Sequence, residues 1–397
     1  MNDLLARARG KLLRELGHFF DSYSLYLNLP PQGSRMHRFA ECARVGRDSL
    51  VAGRIELPSP GFVELASNVR LGSLSAGRGR YLFVDQNVAE QGELRCDTHC
   101  IRTREREYAG GELEGNVVTV SVDFEGGVAL SHASPETWHH LRRFWDSREC
   151  VKKLAALFRK YRIPVTWAVC GHLFLRSCSG NHGFKESDWL GDWFLHDPCS
   201  DLKADPSWYM PEVIEDLLGT PQFEIGYHTF GHFRYRYCTE ETVRLDMELA
   251  DRIRKEWGLK LESFVFPYNE CGHFDLLKEG GFTNIRGNIG RVLPAYGTID
   301  FGEFRFFNTT QMFAPETMQR CRGLLEGLGD RSANFYTHCY QWGERDAWTE
   351  LETWLAKLAA MRDRGAIRLA TMRDAHRPPA ASIGGAVKET GEREEAA

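Results

Sequence analysis

Between Val117 and Val122 the chain reads Val-Val-Thr-Val-Ser-Val. A half-exposed strand alternates apolar and polar residues, whereas a continuous β-branched run fits a strand covered on both faces. Strand and helix patterns then alternate. Trp138, Leu141 and Trp145, followed by Val151, Leu154, Ala155 and Phe158, recur at helical spacing and predict one or two helices. Ile163 to Val169 predicts the next strand, and Val243, Met247, Ala250 and Trp257 line a helix capped by Gly258. Leu261 to Phe266, Phe282 to Arg286, Phe304 to Phe307, Asn334 to Thr337 and Ile367 to Thr371 predict further strands, and Leu351, Trp354, Leu355 and Leu358 a last helix face. Such alternation predicts a parallel α/β barrel or a doubly wound sheet, with functional groups at the C-terminal strand ends.

The chain before Val117 has a different texture. Leu5, Ala8, Leu12, Leu16 and Phe19 recur at helical spacing among basic residues, predicting an amphipathic helix over residues 1–30. It either docks on the rest of the protein or lies on a membrane surface. Residues 31–115 hold short apolar runs separated by Gly, Pro, Ser and Asn, which predicts a small β-rich domain. Asn68-Val69-Arg70-Leu71-Gly72 resembles a coil of the hexapeptide-repeat acyltransferases, but the several regular turns that a left-handed β-helix needs are not recognisable in the sequence. Residues 116–376 make the main α/β unit, and the Pro-containing, charged residues 377–397 read as a disordered tail.

Composition excludes some classes. A net charge of -5 leaves no electrostatic footprint for nucleic acid. The 11 cysteines follow no tight frame, and Cys96-Asp97-Thr98-His99-Cys100 lacks a second pair at zinc-finger spacing, so reduced thiols and a cytoplasmic setting are expected. Arg7, Arg9, Lys11, Arg14 and Glu15 interrupt any secretory signal, and no apolar run is long enough to span a membrane.

Two motifs carry chemistry. The run Glu224-Ile225-Gly226-Tyr227-His228-Thr229-Phe230-Gly231-His232 ends in two histidines four apart, a spacing that lets both rings face one divalent ion. Thr229 stands where a His-Glu-x-x-His protease needs its glutamate, so the pair needs a carboxylate from elsewhere. Asp123-Phe124-Glu125 ends the first buried strand with two acids on one face, able to divide metal binding and general-base work.

In order, Asp123-Phe124-Glu125, His228-Thr229-Phe230-Gly231-His232, Phe266-Pro267-Tyr268 and Tyr336-Thr337-His338 resemble the motifs of the polysaccharide deacetylases, the NodB-homology carbohydrate esterases, over about residues 117–373. The resemblance implies a distorted (β/α) barrel holding one divalent ion through Glu125, His228 and His232, zinc first, with cobalt, nickel or manganese as substitutes. It matches Asp123 to the base that takes a proton from metal-bound water and His338 to the acid that protonates the leaving amine. Tyr268 falls in the segment whose backbone helps hold the acetate oxygen. The chain departs from the family at Val265, where an arginine usually orients the base, and Arg286 and Arg305 are the candidate replacements.

The expected activity is therefore metal-dependent N-deacetylation of a sugar in a soluble or lipid-linked precursor of a surface polysaccharide, glycolipid or sugar-containing metabolite. A metal-independent hydrolase of a cyclic ureide or amide, or an inactive carbohydrate-binding protein, are the alternatives. Peripheral membrane contact through the N-terminal helix fits a lipid-linked substrate. The segment from Gly171 to Pro221 breaks the alternation and reads as a long loop carrying Trp189, Trp193, Trp208 and Tyr209 beside Asp188, Asp192 and Asp201. Rings beside carboxylates suit a sugar's C–H faces and hydroxyls, with Trp189 and Trp193 the first substrate-binding candidates.

Overall fold

A computed structural model describes residues 44–376 apart from 47, 58–61, 79, 114, 129–146, 185–196, 291–296 and 343–346. The N-terminal helix, the C-terminal tail, Trp138, Leu141, Trp145, Trp189 and Trp193 lie outside the described residues.

The region before the α/β unit is a parallel β-solenoid, a more regular object than the β-rich domain expected. Arg44–Val45, Val63–Leu65, Leu82–Val84 and His99–Arg102 pair in parallel, so that Val45, Leu65, Val84 and Arg102 stack in register. A second wall pairs Leu50–Val51, Arg70–Ala76 and Ala89–Cys96 in parallel. The repeating turns not recognised in the sequence are here: Asp48, Asn68 and Asn87 occupy the left-handed region (φ 56°, 59° and 61°), and Asn68 Nδ2 donates to Asn87 Oδ1 at 3.2 Å. Asn and Asp adopt that conformation at the least cost among residues with a side chain. Gly72 is required on the wall, since a Cβ would sit 2.0 Å from the Gln91 carbonyl oxygen of the next coil. Val63, Leu65, Val69, Leu71, Leu74, Leu82, Val84 and Leu94 fill the interior. The repeat hides in the sequence because corresponding residues are separated by unequal steps, from Val45 to Leu65, Val84 and Arg102.

The main strands of the α/β unit among the described residues are β1 (Val117–Phe124), β2 (Val165–Val169), β3 (Phe223–Tyr227), β4 (Ser263–Glu270), β5 (Asn284–Asn288), β6 (Arg305–Asn308) and β7 (Ala333–His338). From β1 to β6 each pairs in parallel with the next, and β7 pairs in parallel with β1. From β6 the chain runs directly into Gln311–Met312, which pairs with β7. One continuous segment thus serves both remaining edges and closes a barrel, which excludes the doubly wound sheet. The barrel is distorted: β3 and β4 share a single register pair, Tyr227 with Phe264, and the β4–β5 register shifts between Val265 and Glu270.

The β1 run is buried at every position. Val118, Val120, Val122 and Phe124 join the large core with Trp167, Ile225, Phe264 and Phe335, under helices that include α1 (Ser147–Tyr161) and α3 (Glu240–Trp257). Thr119, Ser121 and Asp123 alternate with them and share register with Asn334, Tyr336 and His338. On its β1 side the barrel interior is therefore polar. Its floor is Met372 and Ala375, packed with Val117, Ala168, Val265 and Phe307. Glu224 holds that floor by accepting from Thr166 Oγ1, Ser263 Oγ and the Arg373 amide.

Three short helices depart from expectation: α2 (Pro211–Leu218), inside the segment read as a loop, α4 (Phe274–Glu279) and α5 (Met318–Glu326). Each is shorter than the window of about 11 residues over which helical periodicity stands out. The final helix, α6 (Trp348–Asp363), buries Leu351, Trp354, Leu355 and Leu358 as expected.

Solenoid and barrel share one sheet, because Glu107–Glu112 pairs with Thr298–Asp300, which in turn pairs with β6. Polar contacts fix the joint. Buried Glu64 pairs with Arg236 and accepts from the Gly290 amide, and Asp85 Oδ2 accepts from the Phe274 amide at 3.1 Å.

Candidate active site

The C-terminal ends of β1, β3, β4, β5 and β7 converge on one buried polar space, as a parallel barrel requires. Asp123 ends β1 in register with His338 of β7. Glu125 follows in a turn that needs glycine next: Gly126 has φ 54°, and a Cβ there would lie 2.5 Å from the Ser207 carbonyl oxygen.

His228 follows β3. Its amide donates to the Val169 carbonyl at 3.0 Å, and its Nδ1–H donates to the Val265 carbonyl at 2.8 Å. That second bond fixes the tautomer and leaves Nε2 to face Glu125 Oε1 at 3.3 Å. His232 Nε2 lies 3.1 Å from the same oxygen. Donor atoms on a tetrahedral ion with bonds of about 2.0–2.1 Å stand about 3.3–3.4 Å apart. The two imidazoles and one carboxylate therefore fit a divalent ion of the zinc class.

Protonation supports the fit. Burial pushes the Glu125 carboxyl up, but the charges of His232 and His338 and hydrogen bonds from His228 and His232 hold it well below the usual range. Burial pushes His232 down despite Glu125. A charged carboxylate beside a neutral imidazole is the form that ligates a metal.

The loop carrying the histidines is strained and tied down. Thr229 and His232 have φ of 58°, a costly conformation for a β-branched residue in particular. Thr229 Oγ1 accepts from the Phe233 amide, and the Phe230 amide donates to Asp246 Oδ1 at 2.7 Å. Asp246, buried in α3, also accepts from the Tyr227 and Tyr235 hydroxyls. Burial raises its carboxyl to about 6 against those bonds. Tyr268 and Asn269 on β4 are likewise in the left-handed region. Tyr268 is 46% exposed, and its ring lies 4.9 Å from that of His232 and is stacked by Arg234.

Arg286 on β5 reaches through the interior. Its Nη2 donates to Asp123 Oδ2 and its Nη1 to Ser121 Oγ, both at 2.6 Å, while its guanidinium covers the Tyr336 ring. Arg305 pairs instead with Asp300 outside the site. The other Asp123 oxygen, Oδ1, is buried and has no hydrogen-bond partner among the described residues. His338 Nε2 stands 3.7 Å from Asp123 Oδ2 and 3.6 Å from Glu125 Oε1.

Asp123, Glu125, His228, His232, Tyr268 and His338 are thus brought together. Trp208 and Tyr209 are not part of the cleft. Both are fully buried, so the expectation that their rings face a sugar is corrected. Aromatic residues in an insertion serve its own core as readily as a ligand. No motif in the sequence singles out Gln341 and Tyr340. Gln341 Oε1 accepts from the His338 amide at 3.1 Å and lies 3.4 Å from its Nδ1, and the Tyr340 ring stacks on His338 at 5.1 Å. Their nearness to His338 in sequence was the available signal.

No protein-family model and no curated protein matches the chain. Among solved structures, it is similar to a putative polysaccharide deacetylase from Mycobacterium smegmatis (14% identity, TM-score 0.48, covering 66% of this chain and 89% of that one). It is also similar to an allantoinase (14%, 0.45, 66% and 89%) and to a CE4 family pseudoenzyme from Bacillus anthracis (11%, 0.39, 67% and 67%). The solved structures that the chain is similar to include members of the family its motifs resemble, the polysaccharide deacetylases.

Proposed function

We propose that this chain is a metal-dependent N-deacetylase that hydrolyses the acetamide of an N-acetylated sugar, in a soluble or lipid-linked precursor of a surface polysaccharide, glycolipid or sugar-containing metabolite. The observation that carries the reading is the division of two buried carboxylates between different partners, Asp123 with Arg286 and Glu125 with two imidazoles. Glu125, His228 and His232 would hold the ion, zinc before cobalt, nickel or manganese for a set of two nitrogens and one oxygen. When bound, a divalent ion there supplies Lewis acidity, acidifying a water molecule and polarising the amide carbonyl.

The chain's own groups handle the protons. With Oδ2 held by Arg286, Asp123 offers Oδ1 to take a proton from the attacking water. His338, oriented by Gln341 and Tyr340, gives a proton to the amine nitrogen as the C–N bond breaks. Acetate and a free amine leave. The exposed Tyr268 ring beside His232 offers a face for the sugar's C–H groups. Trp189 and Trp193 remain candidates for the same task, and the N-terminal segment for peripheral membrane contact. No helix among the described residues is long and apolar enough to cross a membrane. The described cysteines are thiols, which supports a cytoplasmic setting for the reaction.

Purified protein loaded with zinc or cobalt and incubated with N-acetylated sugars, nucleotide sugars and oligosaccharides should release acetate, and a chelator should abolish the release. Metal-loaded protein that releases acetate from none of them would overturn the reading. Turnover of a cyclic amide without metal would replace it with the ureide alternative.

A further inference from the structure

The insertion after β2 contains a second cluster of metal-ligating side chains that the proposed reaction does not use. We infer that His172, Cys178, His182 and Asp197 form a structural zinc site. Their donor atoms all lie within 4.8 Å of one another. His182 Nε2 is 2.8 Å and His172 Nε2 3.5 Å from Asp197 Oδ2, and Cys178 Sγ is 3.2 Å from Asp197 Oδ1 and 3.6 Å from His172 Nε2. One thiolate, two imidazoles and one carboxylate are a complete tetrahedral set, with no position left for substrate.

The surroundings match a ligand shell. The side chains of His172 and Asp197 are almost fully buried. His172 Nδ1–H donates to the Trp208 carbonyl at 2.9 Å, which turns Nε2 toward the cluster, as outer hydrogen bonds do for metal-bound imidazoles. Asp197 Oδ1 accepts from the Cys199 amide at 2.9 Å, and the Tyr209 hydroxyl lies 3.1 Å from Cys178 Sγ. The burial of Trp208 and Tyr209 follows, since they wall this cluster and not the cleft.

The site sits directly behind the histidine loop. The His172 and His182 rings contact Phe230 at 5.6 and 4.8 Å between centroids, and the Gly171 and His172 amides donate to the Thr229 and Phe230 carbonyls. An ion there would tie the chain at Cys178, His182 and Asp197 to His172 at the end of β2 and support the strained loop from behind. Binding would displace the Cys178 thiol proton to solvent, so affinity should rise with pH. The inference does not depend on the deacetylase reading.

Cobalt distinguishes the two sites, because only this one supplies sulfur. Full-length His228→Ala, stripped and reloaded with cobalt(II), should keep a thiolate-to-cobalt charge-transfer band, and Cys178→Ser should lose it. No band in wild-type protein overturns the site. So does a band that survives Cys178→Ser and disappears in Cys96→Ser, because Cys96, Cys100 and Glu107 are another thiol cluster. Should Cys178→Ser fail to fold, alkylation of the wild type decides, with exposed Cys199 as internal reference. Zinc should slow alkylation of Cys178 at least about tenfold relative to Cys199, and equal rates with and without zinc overturn the proposal.

Discussion

Arg286 holds Asp123 from the strand beside the one on which the family's arginine is expected. Val265 of β4 and Arg286 of β5 are register partners, so both side chains enter the barrel interior at the same level. A guanidinium on either strand can reach the carboxylate that ends β1. In this chain the charge beside Asp123 Oδ2 is supplied from β5.

Arg286→Met should therefore cost about 3–5 kcal/mol of stability, the scale for leaving one member of a buried ion pair alone, and lower turnover by ~10²-fold or more through the misplaced base. Because the two positions are neighbours, Val265→Arg combined with Arg286→Val nearly conserves interior volume. That double variant should recover much of the lost activity. Recovery no better than in Arg286→Met would show that Asp123 needs the geometry of β5, measurable from kcat and urea midpoints together.

The two acids separate by metal content. Asp123→Asn should leave bound metal near the wild-type level while cutting turnover by ~10²-fold or more, the scale for losing a general base. Glu125→Gln and His228→Ala should lose one equivalent of metal together with activity, the equivalent held by His172, Cys178, His182 and Asp197 remaining. Elemental analysis alongside acetate release checks this, and metal lost from Asp123→Asn but retained in Glu125→Gln reverses the assignment.

The barrel and its site were legible where chemistry repeats on a strict geometric schedule. The β-branched run, the four-residue histidine spacing and the alternating acids each follow from strand or loop periodicity, and the structure brings those residues together. Arg286 could not be ranked above Arg305 because the choice depends on which strand neighbours β4, a long-range fact. The solenoid stayed hidden because its coils differ in length and its turn signal is one Asp or Asn per coil. The second cluster was hidden for another reason: Asp197 is brought to Cys178 and His182 only by the folded insertion.

Asp246 makes stability depend on pH. Its carboxyl is raised from the usual 3.8 to about 6, so the folded chain holds the proton more tightly than the unfolded chain. Its contribution is fully present below about pH 4 and is lost as pH rises through about 6. Asp246→Asn should remove that slope. The stability of wild type relative to the variant, from urea midpoints, should fall between pH 4 and 6 and level off above; a difference independent of pH would refute the shift.

The joint between solenoid and barrel argues that the N-terminal region is structural as well as any source of specificity. Glu64 is fully buried in the solenoid, and its partner Arg236 lies four residues beyond His232, on the chain leaving the histidine loop. Removing the carboxylate would leave a guanidinium buried beside the Gly290 amide that Glu64 also accepts from. Glu64→Ala should cost about 3–5 kcal/mol, whereas Glu93→Ala on the exposed solenoid wall, which loses one hydrogen bond from Ser75, should stay near 0–1 kcal/mol. The loss should also reach the site, because Arg236 and His232 share one short segment: metal affinity in Glu64→Ala should fall while Glu93→Ala keeps it. A Glu64→Ala protein with unchanged melting and metal affinity would mean that the solenoid is attached to the barrel without supporting it.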